Sequence, residues 1–377
     1  MNIGKKKSQI VSLFFSLTLV ITLIFPNLAN AESTTKQVTY LALGDSLAAG
    51  QNPYMRLGKG YTDMLAEDLK KIGFLNSFSK LYAISGYTSQ RVLEDILNDV
   101  KKGTGDTIGI RGNIAKADVI TLDAGANDLL RKMKRTDEGL SIDPDVLAQV
   151  LTQVESNIEY ILEEIHTLNP EAKVYVMGYY NAYPYLPTEQ QEQFLPILNQ
   201  LNTAIQDAAN REATVYVPTK DSIAVNPKAY LPNSKDIHPG LSGYKTITAE
   251  FWKVVYPDVT NNYKNSIFVN GIYQTFEQDP VIIKGRTLVH VRGVFDDLGA
   301  EVSWDNKTRS VIIKKGNDVI KLMVDSNKVY KNGKLLQIDV SAKIINDRTM
   351  IPLRFISESF GATVEWEPVT RNAFIAN

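Results

Sequence analysis

Between residues 38 and 255, short apolar runs alternate with long amphipathic stretches, and no other feature of the chain restricts its fold as strongly. The runs Val38–Leu43, Lys80–Ile84, Asp118–Leu122, Lys173–Met177 and Thr214–Val217 are rich in β-branched and aromatic residues and are expected as strands. The segments Tyr61–Ile72, Ser89–Lys101, Asp143–Leu168 and Thr188–Asn210 repeat Leu, Ile and Val at helical spacing, and a last helix is expected at about Ser242–Val255. Apolar strands that each lead into a helix predict an α/β domain whose parallel sheet is covered on both faces.

From Ile267 the texture changes. Hairpin signals appear at Val269-Asn270-Gly271, Lys315-Gly316-Asn317 and Lys331-Asn332-Gly333, and Pro257 to Asn265 reads as a linker. This second region contains a repeat. Arg286-Thr287 through Arg292 and Gly299-Ala300 through Trp304 return as Arg348-Thr349 through Arg354 and Gly361-Ala362 through Trp366, 62 residues later. A duplicated strand-helix-strand unit is expected, with helices in Arg292–Leu298 and Arg354–Phe360 and with Trp304 and Trp366 as core anchors. The whole region then forms a smaller α+β domain.

At the other end, Lys5, Lys6 and Lys7 precede an apolar run from Ile10 to Phe25, and Ala29-Asn30-Ala31 follows it. That is the pattern of a secretory signal peptide over residues 1–31, so the protein is expected to be extracellular, with cell-wall association as a further expectation. There are no cysteines, which excludes disulfides, thiolate metal sites and a cysteine nucleophile. With 41 Lys and Arg against 42 Asp and Glu, no global charge favours nucleic acid as a partner.

Candidate chemistry collects at the ends of the expected strands, where ligands of open parallel sheets bind. The first strand runs into Gly44-Asp45-Ser46-Leu47, which puts Ser46 where a nucleophile is wanted. A serine hydroxyl needs a base, and the chain has three histidines. His166 falls inside a long helix as a surface residue, and His290 lies in the repeat region where the other copy has Pro352. His238, in the loop Asp236-Ile237-His238-Pro239-Gly240, can reach the sheet edge, and Asp236 is placed to orient it. The second strand ends in Ser85-Gly86-Tyr87 and the third in Gly125-Ala126-Asn127-Asp128, so a backbone N–H at Gly86 and the Asn127 amide become candidate oxyanion donors. Asp45 and Asp128 read as residues that hold turns, and Tyr54, Met55, Tyr179, Tyr180, Tyr183 and Tyr185 as candidate walls of an acyl or sugar pocket.

Together, Gly44-Asp45-Ser46-Leu47, Gly86, Gly125-Ala126-Asn127-Asp128 and Asp236-Ile237-His238-Pro239 resemble, in order, the four blocks of the SGNH or GDSL serine hydrolases. The resemblance spans nearly all of residues 38–255 and implies a flavodoxin-like three-layer α/β/α domain over residues 32–260. It further implies catalysis by Ser46 and His238 through an acyl-enzyme, an oxyanion hole of the Ser46 and Gly86 backbone N–H groups and the Asn127 amide, and no cofactor or metal. There is one departure: the usual aspartate three residues before the histidine is Lys235 here, and Asp236 stands one residue closer.

Residues 261–377 resemble the copper amine oxidase N-terminal-like domain, through the Arg-Thr and Gly-Ala…Trp blocks of both halves. Copper bound by imidazoles needs several histidines, and this region has only His290. The expectation is therefore a noncatalytic accessory domain that contacts the cell wall or a polymer. The expected substrate is a carboxylic ester of a lipid or an acylated carbohydrate. An acetyl esterase acting on polysaccharide and a noncatalytic surface-binding protein are the alternatives.

Overall fold

The computed structural model describes residues 37–376 apart from positions 137, 138, 262, 264, 277, 296, 297 and 369. The export-signal reading of residues 1–31 lies outside the described residues. Within them, no helix is long and apolar enough to cross a membrane.

Five strands, Val38–Gly44, Leu75–Ala83, Val119–Asp123, Lys173–Met177 and Val215–Val217, form one sheet. In chain order they lie second, first, third, fourth, fifth, and every neighbouring pair is parallel. This is the flavodoxin-like order, with its switch point between the first and third strands. The first and third strands are buried nearly throughout, which is why they read as unbroken apolar runs.

Helices cover both faces. Tyr61–Lys71 and Leu241–Thr260 pack together, as do Ser89–Leu97, Pro144–Leu168 and Thr188–Arg211. Their starts follow local chemistry. The Asp143 carboxylate accepts from the N–H groups of Asp145 and Val146, with Pro144 in the first helical position, and Thr88 caps Ser89–Leu97 through Arg91 N–H.

The last of these helices corrects one expectation. It continues through Pro257 to Thr260, so the first four residues of the expected linker are helix. The chain then enters a mainly stranded module that packs directly on the core of the parallel-sheet domain. Phe268 and Phe374 stack at 5.0 Å and belong to the large core cluster, where Phe74 meets Phe268 edge-on at 5.2 Å. The Gly73 and Gly271 backbones approach so closely that a Cβ on Gly73 would lie 2.0 Å from the Gly271 Cα. Both glycines have positive φ, so both turns require them.

In the module, Arg286–His290 and Arg348–Pro352 pair antiparallel at the centre of a four-stranded sheet. The hairpins appear where Asn-Gly predicts them. Asn270-Gly271 and Asn332-Gly333 each hold two successive positive φ angles, as a type I′ turn demands. The repeat helices are Val291–Phe295 and Leu353–Ser359, each shifted by one residue from its expected start.

Trp304 and Trp366 overturn their expected role as core anchors. They are 39% and 36% exposed, on strands whose residues are mostly exposed. Val302 and Val364, two residues earlier on the same strand face, pack partly buried against the module's core instead.

Candidate active site

Three strand ends and one loop build the site. Val38–Gly44 turns sharply into the short helix Ser46–Ala49, and Gly44 makes this turn at φ +144°. A Cβ at Gly44 would sit 1.9 Å from Asp123 Oδ1, so only glycine fits. Asp45 caps the helix by accepting from Leu47 N–H at 2.9 Å, and its own N–H donates to Asp123 Oδ1 at 2.7 Å. Ser46 thereby stands at the carboxyl end of the sheet, its side chain almost buried.

The loop carrying His238 is tied down from several sides. Asn233 Nδ2 donates to Pro53 O at 2.6 Å, linking this loop to the segment after the serine, and the Tyr180 hydroxyl donates to Ile237 O at 3.0 Å. His238 Nε2 lies 2.7 Å from Ser46 Oγ, and His238 Nδ1 lies 2.7 Å from Asp236 Oδ1. The same carboxylate oxygen accepts from His238 backbone N–H at 2.8 Å. Pairing with an ionised carboxylate assigns the proton to Nδ1 and leaves Nε2 to accept from the serine hydroxyl. The missing aspartate three residues upstream is thus no gap in geometry, because the turn at Asp236 brings its carboxylate back onto its own histidine.

Asn127 opens the helix Ala126–Leu130, and one of its two amide N–H donors is bonded to Tyr87 O at 2.9 Å. Asn127, Ser46 and His238 border one cavity of about 50 Å³. Its remaining walls are largely apolar: Leu129 and Leu130, Tyr179 and Tyr180, and Phe194 and Leu198 from the Thr188–Arg211 helix. Gly86, at φ +81°, sits beside the site without forming a wall of this cavity, and its carbonyl accepts from Arg131 at 2.6 Å. Tyr183 packs on Phe194, whereas Tyr54, Met55 and Tyr185 are exposed.

Among the other residues singled out, the Asp128 carboxylate accepts from both the N–H and the hydroxyl of Ser89 at 2.8 Å, fixing the start of a helix. His166 is half-buried near Glu212, far along its helix from the strand ends. Sequence reasoning passed over two groups. Gln51 is buried, its Nε2 stands 3.4 Å from His238 Nδ1, and its side-chain Oε1 accepts from Ser85 Oγ. Asp123 is buried directly behind the nucleophile turn. Burial and the neighbouring Asp45 carboxylate push the Asp123 carboxyl well above the ordinary range, and burial pushes Asp45 up to about 6. A polar residue after a strand was the only available signal for Asp123, and Gln51 had none.

The model of the GDSL-like Lipase/Acylhydrolase family matches residues 42–246, more than half of the chain. The chain belongs to this family. A copper amine oxidase N-terminal domain model matches residues 268–375, behind the GDSL-like region. Similar solved structures include a lipase from goat rumen metagenome, 19% identical over 59% of this chain and 100% of its own, with a TM-score of 0.44. An acetylxylan esterase from Geobacillus stearothermophilus is 17% identical over 59% and 95%, TM-score 0.41. A family 3 carbohydrate esterase from Clostridium thermocellum is 19% identical over 60% and 99%, TM-score 0.42. No curated protein matches the sequence.

The residues of the GDSL-like protein's second module do not fit a copper centre. Among the described residues, no group of three or more His, Cys, Asp or Glu side chains is placed to hold a metal ion, and the region 268–375 contains one histidine.

Proposed function

We propose that this GDSL-family chain is an exported serine esterase that cleaves carboxylic esters of short acyl groups. The carrying observation is the Asp236–His238–Ser46 relay, two contacts of 2.7 Å ending at the mouth of an apolar cavity. Ser46 Oγ attacks the ester carbonyl while its proton passes to His238 Nε2, and the Asp236 carboxylate stabilises the imidazolium. The carbonyl electron pair moves onto oxygen, where the Ser46 N–H, the Gly86 N–H and the second N–H of Asn127 serve as donors. Collapse breaks the bond to the alcohol, which leaves with the proton from His238. Water activated by the same imidazole then hydrolyses the acyl-Ser46 ester.

The cavity supports a short acyl group, since about 50 Å³ is room for roughly four water molecules at ~10–15 Å³ each. The same size supports a second reading, removal of acetyl groups from a carbohydrate. In this proposal residues 1–31 are the export signal, 32–260 the hydrolase unit and 261–377 the accessory unit.

Hydrolysis of p-nitrophenyl esters from acetate to palmitate by wild type and Ser46→Ala is the test. The proposal expects an optimum between acetate and butyrate and loss of activity in the variant. An optimum at long chains would remove the short-acyl reading. A fully active Ser46→Ala would remove the serine mechanism.

A further inference from the structure

The 62-residue duplication in the C-terminal module builds two equivalent clefts, and we propose that they bind a neutral polysaccharide, one sugar unit stacking on Trp304 and another on Trp366. In the central sheet Val289 pairs with Ile351, its own counterpart in the repeat, and Leu288 pairs with Pro352. Equivalent residues facing each other across antiparallel strands define a pseudo-twofold axis between the repeats. Each cleft is therefore shared. One, of about 210 Å³, takes Arg292, Val302 and Trp304 from the first repeat and Arg348-Thr349 from the second. The other, of about 620 Å³, takes Arg354, Val364 and Trp366 from the second repeat and Arg286-Thr287 from the first.

The pattern of difference between the repeats separates packing from binding. Several buried positions have drifted: Leu288 is Met350, Val289 is Ile351, Val291 is Leu353 and Val294 is Ile356. Three exposed cleft positions have not, for Trp304 matches Trp366, Arg292 matches Arg354 and Arg286 matches Arg348. Core packing accounts for the identity of buried Ala300 with Ala362 and of Ile313 with Ile375, but identity at exposed Trp and Arg needs another cause.

The chemistry of the clefts points to sugars. An indole gives a broad apolar face for the C–H face of a pyranose ring, and a hydroxyl, both donor and acceptor, needs both partners beside it. The larger cleft supplies Arg286 in an ion pair with Asp339 at 2.6 Å, with Arg354 near Glu358. The smaller one supplies Arg292 and Arg348 beside Asp347. A polyanion would meet these carboxylates, so a neutral chain is the better match. Two sites on one rigid module favour a polymer over a free sugar, because the second contact becomes intramolecular.

The proposal does not depend on the role of Ser46. Native electrophoresis of the full chain through gels containing xylan, glucomannan or hydroxyethyl cellulose tests it, with polygalacturonate as the anionic comparison. At least one neutral polymer should retard the wild type. Trp304→Ala and Trp366→Ala should each weaken retardation about tenfold and their combination abolish it, with p-nitrophenyl acetate hydrolysis unchanged. The exposed pair Arg286→Ala with Arg348→Ala should weaken it too, without touching an indole. Retardation by polygalacturonate alone, by no polymer, or equally by the double tryptophan variant would overturn the proposal.

Discussion

The Ser46 site and the tryptophan clefts place their polar groups in opposite surroundings. At the sheet edge Asp45, Ser46, Asp123 and His238 are all buried, and three strand ends and a pinned loop hold them within hydrogen-bond distance of one another. In the clefts, Trp and Arg side chains stand in solvent on strands and helix starts. Bond-making chemistry gains from fixed dipoles in a dry site, where each is worth more than in water. A long polymer has to reach its sites from outside, and open clefts on a rigid support allow this. The two cores meet, since Phe268 and Phe374 of the second module lie in the hydrophobic cluster that supports the parallel sheet, while the clefts rest on the module's own core.

The sharpest way to break this contrast is at the relay. Asp236→Asn should cut kcat on p-nitrophenyl acetate by about 10⁴ with little change in melting temperature, because the asparagine no longer stabilises the correct imidazole tautomer. An effect below tenfold would mean that burial, not the Asp236 pairing, positions His238. Phe268→Ala should cost about 3–5 kcal/mol by calorimetry or urea unfolding and should lower the thermal transition of esterase activity along with it. If only the second module melted earlier, the contact of Phe268 and Phe374 with the parallel-sheet core would not couple the two regions.

Asn127→Ala should lower kcat about 10²–10³-fold while leaving KM nearly unchanged, because an oxyanion donor acts in the transition state. A change confined to KM would make Asn127 a substrate-binding residue instead. The smallest expected effect concerns pH. Asp45 titrates near 6 when folded and near 3.8 as a free side chain, so between these values the folded state holds the extra proton. Stability should therefore fall as pH rises from about 4 through 6, and buried Asp123 acts in the same direction. Asp45→Asn, which keeps an acceptor for Leu47 N–H, should flatten part of that slope. Urea midpoints at pH 4.5 and 7.5 measure it, and an unchanged slope would show that Asp45 does not carry the effect.

The strand-helix alternation was legible because strands buried on both faces must be apolar throughout. Lys173–Met177 is found where it was expected, and Ser89 and Thr188 open their helices where the pattern placed them. The end of Leu241–Thr260 was not legible. Pro257 reads as a terminator, yet Tyr256, packed in the core and hydrogen-bonded to Thr370, and buried Thr260, whose hydroxyl donates to Tyr256 O, carry the helix past it. Trp304 and Trp366 misled for a related reason. A large aromatic residue in a strand is usually buried, but Trp304 and Trp366 share a strand face with Val302 and Val364, and the core reaches along that face only as far as the valines.

Local pattern alone determined the parallel α/β domain, the hairpins with Asn-Gly turns, the duplication, and the strand ends at Ser46, Gly86 and Asn127, because each depends on residues close in sequence. Tertiary structure decided what depends on distant parts of the chain meeting: His238 reaching Ser46 across 192 positions, Asp123 filling the space that Gly44 leaves open, and each repeat completing the other's cleft. Such contacts depend on how the sheet twists and which faces pack. No short stretch of sequence carries that information.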